Sequence, residues 1–76
     1  MKKIVVMNFW VCCLKPGGIW EHDQTIYKFR TEVKRGTNLA MVNDAIEESC
    51  YELGLIPRSQ NQNFKISSEL VEIIHE

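Results

Sequence analysis

Three cysteines and two histidines are the residues of this chain best suited to metal binding or covalent chemistry. They are Cys12, Cys13, Cys50, His22 and His75. A structural zinc site usually needs closely paired ligands such as Cys-x-x-Cys, and the spacing of these five residues provides none. The sequence therefore predicts no metal and no cofactor. It favours reduced thiols that pack as small apolar groups.

Nucleophilic catalysis would require a thiolate, for example Cys12 or Cys13 activated by His22. The chain has no nucleophile elbow, and Gly17-Gly18 lacks the spacing of a phosphate-binding loop. A domain of 76 residues also has a thin core, with little room for the pocket of roughly 300 Å³ that catalytic sites commonly use. We therefore expect that this chain is not an enzyme.

The candidate binding residues combine aromatic and basic side chains. They are Trp10, Trp20, Lys28, Arg30, Lys34 and Arg35. Lys28, Arg30 and Lys34 fall on one side of a stretch, Gln24–Lys34, in which charged and apolar residues alternate. Aromatic groups beside cations suit a protein interface, and they also suit the stacking and phosphate contacts of nucleic-acid binding.

Charge is divided unevenly along the chain although the net charge is only −1. Residues 1–35 hold seven basic and three acidic residues, whereas residues 36–76 hold two basic and seven acidic residues. Such a division is typical of a basic face and an acidic face, or simply of solvated surfaces. The small net charge makes nucleic acid the less favoured partner.

The first strand is predicted over Ile4–Leu14, because this stretch is rich in β-branched and aromatic residues. It is apolar on both alternating faces, which is typical of a central strand. The following Lys15–Gly18 segment is a strong turn signal, since proline and glycine suit successive turn positions.

The second strand is predicted over Gln24–Lys34, as the hairpin partner of the first. A tight turn would place Val6 opposite Tyr27 and Ile4 opposite Phe29. The same register would place Trp10 opposite an aspartate. We therefore expect a bulge or an irregular loop at Glu21–Gln24.

An amphipathic helix is predicted over Leu39–Leu53, where apolar residues recur at intervals of three and four. Thr37 or Asn38 can cap its first turn. Gly54 follows at the position where helices often end in a left-handed residue.

The C-terminal part is predicted to begin with a polar loop over Arg58–Asn63. The stretch Phe64–Glu76 fits a strand, and from Ser68 onward it also fits a short helix. The strand is slightly favoured, with a break at Ser67-Ser68 as a further option.

The sequence thus predicts one α+β domain over residues 1–76, a small two-layer sandwich with an antiparallel sheet of two or three strands and one main helix. Its order is β-β-α-β, or β-β-α with a short C-terminal helix. One helix cannot cover both faces of a sheet, so one face should remain open, carrying Lys28, Arg30 and Lys34 with either the even-numbered or the odd-numbered side of the first strand. The odd number of cysteines indicates a reducing, cytoplasmic compartment.

These features favour a small non-enzymatic protein-interaction module of the inhibitor or accessory type. Small size and missing motifs are also typical of phage-encoded inhibitors. We expect binding to a larger protein through the open sheet face, and a homodimer, with no membrane association. The alternative is a protein that binds nucleic acid or a small anionic ligand through the basic strand.

Overall fold

A computed structural model shows a four-stranded antiparallel sheet with one α-helix packed on one face. The structure describes residues 2–76, and side chains within residues 2–59 and 62–76. The elements are β1 (Lys3–Lys15), β2 (Ile19–His22), β3 (Tyr27–Val33), α1 (Leu39–Glu52), a 3-10 helix (Arg58–Asn63) and β4 (Phe64–His75). The predicted small α+β fold is confirmed, although the sheet has four strands and not two or three.

The long strand β1 is the centre of the sheet, because every other strand pairs with it. β4 pairs with one edge of β1, from Lys3 to Cys13. On the other edge, β3 pairs with the first part of β1 and β2 pairs with the last part. β1 is therefore a central strand, as the apolar character of both its faces predicts.

The turn after β1 is confirmed, but the predicted register of the second strand is wrong. Gly17 and Gly18 have φ angles of 90° and 77°, which glycine adopts readily, and Lys15 then pairs with Ile19. Tyr27 lies opposite Phe9, not Val6, and Phe29 accordingly lies opposite Met7, not Ile4. The shift arises because β2 is a separate strand and residues 23–26 leave the sheet before β3 begins.

β3 is shorter than the predicted strand at both ends. Tyr27, Phe29 and Val33 pack against the core, as their alternation predicts. Lys34, which was assigned to the charged side of this strand, follows its last residue instead. Thr37 donates a backbone hydrogen bond of 3.0 Å to Lys34, which turns the chain toward the helix.

The helix confirms the sequence prediction, with its last residue one position earlier than expected. Asn38 is the N-cap, and its side-chain oxygen accepts a hydrogen bond from the Met41 amide at 3.0 Å. Gly54, with φ of 74°, ends the helix in the left-handed conformation. The core lies between the helix and the sheet; its buried residues are Val5, Met7, Phe9, Val42, Ile46, Cys50 and Ile56.

The C-terminal stretch is a strand, as favoured, and it continues without a break through Ser67-Ser68. Val6 pairs with Glu72 while Met7 pairs with Leu70, so Val71 is an extra residue that forms a bulge. The segment before it is a 3-10 helix, not the loop that was predicted.

The helix covers only part of one sheet face. Its 14 residues extend about 21 Å, whereas the 13 residues of β1 extend about 43 Å. The molecule is accordingly elongated, measuring 48 × 22 × 18 Å. None of the helices in the described residues has the length and apolar character needed to cross a membrane.

Candidate binding surface

One face of the sheet has no helix over it in the part of the chain that the structure describes, and we call it the open face. Alternate residues of β1 point to it, together with their partners on neighbouring strands, because paired residues share a face. It comprises Ile4, Val6, Asn8, Trp10, Cys12 and Leu14 on β1, Trp20 and His22 on β2, Lys28, Arg30 and Glu32 on β3, and Lys65, Ser67, Glu69, Glu72 and Ile74 on β4. The sequence left open which side of β1 would face away from the helix; it is the even-numbered side.

The open face is buried near the start of β1 even though no helix covers it. Ile4 is 9% exposed and Val6 is 6% exposed. Val6 lies between Arg30 on one neighbouring strand and Glu72 on the other. The aliphatic parts of such long side chains can shield an apolar strand while their charged ends stay in water.

Two rows of opposite charge flank β1 on the open face. The basic row is Lys28 and Arg30 on β3, and the acidic row is Glu69 and Glu72 on β4. Lys28 and Glu69 both pair with Asn8, whose amide donates a hydrogen bond of 3.4 Å to Glu69. These four described residues form no ion pair across β1, so each row presents its charge to solvent.

A second part of the open face lies where β1 turns into β2, and we call it the hairpin end. It consists of Leu14, Trp20 and Lys65. The Lys65 ammonium lies 4.7 Å from the centroid of the Trp20 ring, a cation–π contact. Leu14 and Trp20 remain 39% and 38% exposed, whereas the exposed Ile19 pairs with Lys15 and lies on the opposite face. Exposed apolar side chains that lie together on one face, as Leu14 and Trp20 do, are typical of interaction surfaces.

The cysteines are free thiols, and one of them lies beside a histidine. Cys12 is directly opposite His22 in the strand register, yet the two described side chains are not hydrogen-bonded to each other. Burial raises the pKa of the Cys50 thiol, and the negative charge of Glu47 raises it further. Among the described residues, no three His, Cys, Asp or Glu side chains are grouped so that they could hold a metal ion.

The predicted binding residues divide into two groups in the structure. Lys28 and Arg30 lie on the open face opposite Asn8 and Val6, and Trp10 lies on the same face of β1 beyond the end of its pairing with β3. Trp20 lies on the same face at the hairpin end. The other two, Lys34 and Arg35, are in the connection between β3 and α1, so they do not belong to the open face.

Sequence reasoning missed the contribution of β4, namely Lys65, Glu69 and Glu72. The signal was present, because Lys65, Ser67 and Glu69 alternate with Phe64, Ile66 and Ser68. It was obscured by the fit of the same stretch to a helix. The pairing of β4 with β1 could not be read from the chain, since it depends on which edge of β1 is free.

A groove also lies between α1 and β4, with a volume of about 270 Å³. Ile46, Ile56 and Phe64 form part of its lining, together with the carboxylates of Asp44 and Glu47. At its polar end Ser68 donates a hydrogen bond of 2.9 Å to Asn43. This groove is a concave site of modest size on the helix side of the sheet, and it shares Lys65 with the open face.

The charged rows and the aromatic hairpin end are thus the features of the open face that are suited to binding. Comparison with protein-family models, with curated proteins and with solved structures found no match to this chain. A function can accordingly be proposed only from the geometry of the open face.

Proposed function

We propose that this domain is a non-enzymatic protein-interaction module, of the inhibitor or accessory type, that binds a larger protein partner through the open face. The observation that carries this proposal is the hairpin end, where the paired residues Leu14 and Trp20 are both exposed on the open face. Tryptophan in a partly shielded position is the side chain that most often dominates the energy of an interface.

The surroundings of Trp20 support a role as an anchor. Lys65 holds one side of the indole ring by the cation–π contact, so the ring loses less conformational freedom on binding than a free side chain would. The hairpin end belongs to the open face, and α1 packs on the opposite face of the sheet. A partner could therefore reach it without steric conflict with α1.

Binding of nucleic acid or a small anionic ligand is less well supported. Lys28 and Arg30 would contact phosphates, and Trp10 could stack on a base. However, Glu69 and Glu72 lie on the same face, only two strands away from the basic row. Their negative charge opposes a phosphate backbone, and so the open face as a whole favours a protein.

The free thiols support a reducing, cytoplasmic location as part of this proposal. Cys12 and Cys50 are buried and Cys13 is half-buried, and all three are unpaired. Such thiols persist in a reducing compartment, whereas secreted domains of this size usually depend on disulfides.

The proposal is tested by capture of cross-linked partners from an extract of the source cells, with identification by mass spectrometry. Trp20→Ala should weaken capture of a specific partner at least about tenfold, because a dominant anchor contributes about 2 kcal/mol or more. Leu53→Ala is the control, since Leu53 is 64% exposed at the C-terminus of the helix and does not belong to the open face. Equal capture by both variants would show that the hairpin end is not the interface.

A further inference from the structure

The basic and acidic rows occupy equivalent positions on the two sides of β1. Arg30 and Glu72 both pair with Val6, and Lys28 and Glu69 both pair with Asn8. Adjacent strands are about 4.8 Å apart, so the two rows lie roughly 10 Å from each other, on either side of β1. The open face therefore carries a charge pattern that is antisymmetric about the central strand.

This pattern is complementary to itself under one particular rotation. Consider two copies placed face to face, with a twofold axis parallel to β1 midway between their sheets. The rotation exchanges the two sides of the strand. The basic row of each copy then lies over the acidic row of the other, with Arg30 over Glu72 and Lys28 over Glu69 of the second copy.

We propose that the open face binds a second copy of this chain, with the twofold axis parallel to β1. Packed sheets are about 10 Å apart, a distance that opposing long side chains can span. Each contact between copies would occur twice, as in any twofold interface. The same rotation places Trp10 against its counterpart, which adds an aromatic contact at the centre.

Other arrangements of two copies are disfavoured by the same charges. A twofold axis in the plane of the face but perpendicular to β1 would place basic row against basic row and acidic row against acidic row. Antiparallel pairing of two β4 edges would bring Glu69 and Glu72 close to their counterparts, and the bulge at Val71 interrupts that edge. The parallel axis is the arrangement in which opposite charges meet.

The proposed dimer places both hairpin ends at the same end of the assembly, because a rotation about an axis parallel to β1 preserves the direction of the strand. The inference rests on the proposed function in so far as both assign binding to the open face. The same rotation places Leu14 over its counterpart, so the two hairpin ends lie together at one end of the dimer, with one Trp20 contributed by each copy.

The experiment measures the oligomeric state by sedimentation at roughly 1 mM chain, in low and in high salt. An acidic variant combines Lys28→Glu with Arg30→Glu, and a basic variant combines Glu69→Lys with Glu72→Lys. We expect the wild type to dimerise in low salt and to dissociate as salt is added. Each variant alone should raise the dimer dissociation constant at least about tenfold, because like charges would then face each other.

An equimolar mixture of the acidic and basic variants should restore the dimer, because opposite rows meet again in the mixed pair. The mixture also serves as the test of folding, since a misfolded variant could not recover the interface. As a control for net charge, Glu47→Lys with Glu52→Lys changes the helix surface by the same amount and should leave the dimer intact.

A monomeric wild type at this concentration in low salt would overturn the dimer, and so would variants that still dimerise separately. Capture of a larger partner that depends on Trp20 but comes from a strict monomer would overturn the dimer alone. A salt-sensitive dimer whose capture of partners is unaffected by Trp20→Ala would support the dimer and overturn the proposed function. The two proposals can therefore fail independently.

Discussion

The two faces of the sheet bury the same central strand by different means. On the helix side, Val5 is 4% exposed because the apolar stripe of α1 packs directly against it. On the open face, Val6 is 6% exposed because charged side chains of neighbouring strands lie around it. Val5 and Val6 are thus buried to a similar extent but packed differently. Val5 is covered by a helix that belongs to the core, whereas Val6 is covered by long side chains that can move.

The largest loss of stability is expected when an aromatic residue on the helix side of the sheet is truncated. Phe9 is 2% exposed and stacks on Tyr27 with ring centroids 5.1 Å apart. Phe9→Ala should lower the free energy of unfolding by about 3–5 kcal/mol, because the fixed helix cannot fill the cavity. Urea unfolding measures this, with Trp10→Ala on the open face as the companion. A larger loss for Trp10→Ala would contradict the comparison.

Adjacent valines offer the most closely matched test of the two faces. Val5→Ala should cost about 2 kcal/mol, whereas Val6→Ala should cost about 1 kcal/mol, since the aliphatic parts of Arg30 and Glu72 can close over a smaller residue. Both are measured by urea unfolding at low protein concentration, where the chain is monomeric. Equal losses would mean that the open face is as rigidly packed as the core.

Weakening the helix should raise hydrogen exchange more in α1 than in the strands of the sheet. Asn38→Ala removes the side-chain acceptor for the Met41 amide and should cost about 1 kcal/mol. Asn38→Asp keeps an acceptor and is the control. Hydrogen exchange should then rise in α1 with less change in β1 and β4. A uniform rise along the chain would show that the helix and the sheet open only together.

The smallest expected effect concerns the exposed ion pair between Arg58 and Glu48 of the helix. Arg58 donates a hydrogen bond of 3.3 Å to Glu48 and lies 4.8 Å from the ring of Tyr51. This hydrogen bond, together with the positive charge of Arg58, lowers the pKa of the Glu48 carboxyl below its ordinary value. A carboxyl with a lowered folded-state pKa stabilises the fold above its unfolded pKa, and this contribution is lost as pH falls through the folded value.

Glu48→Gln should therefore reduce slightly the fall in the free energy of unfolding between about pH 5 and pH 3. Val5→Ala should still cost more than Val6→Ala. The effect of Glu48→Gln is small because the side chains of Arg58 and Glu48 are both more than half exposed. It is measured as the urea midpoint against pH. The same curve for wild type and variant would mean that the ion pair contributes nothing.

Much of the fold follows from local patterns in the sequence. The helix over Leu39–Glu52 was predicted because its apolar period, its cap and Gly54 all indicate the same element. The open face followed from the count of helices. The register between β1 and β3 could not be predicted in the same way. It depends on how far the β1–β2 hairpin continues before residues 23–26 leave the sheet, and packing between distant residues decides this.

The basic row of the candidate surface could be predicted from the sequence, but the acidic row could not. Lys28 and Arg30 could be placed by alternation within their own strand, whereas the face that carries Trp10 was left open because β1 is apolar on both sides. The acidic row could not be placed, because opposition of Glu72 to Arg30 depends on β4 pairing with the far edge of β1 and on the bulge at Val71. Both are properties of contacts between distant parts of the chain.

The pairing of β1 with β4 has a kinetic consequence. Lys2 and Glu76 exchange two backbone hydrogen bonds of 2.8 Å, and Lys3 pairs with His75. Formation of the longest strand pairing therefore closes a loop that spans nearly the whole chain. Folds dominated by such non-local contacts refold in milliseconds to seconds, far more slowly than helical domains of similar length. Before β4 pairs, one edge of the apolar strand β1 is unpaired. The slow step is therefore also the one in which this protein is most vulnerable to aggregation.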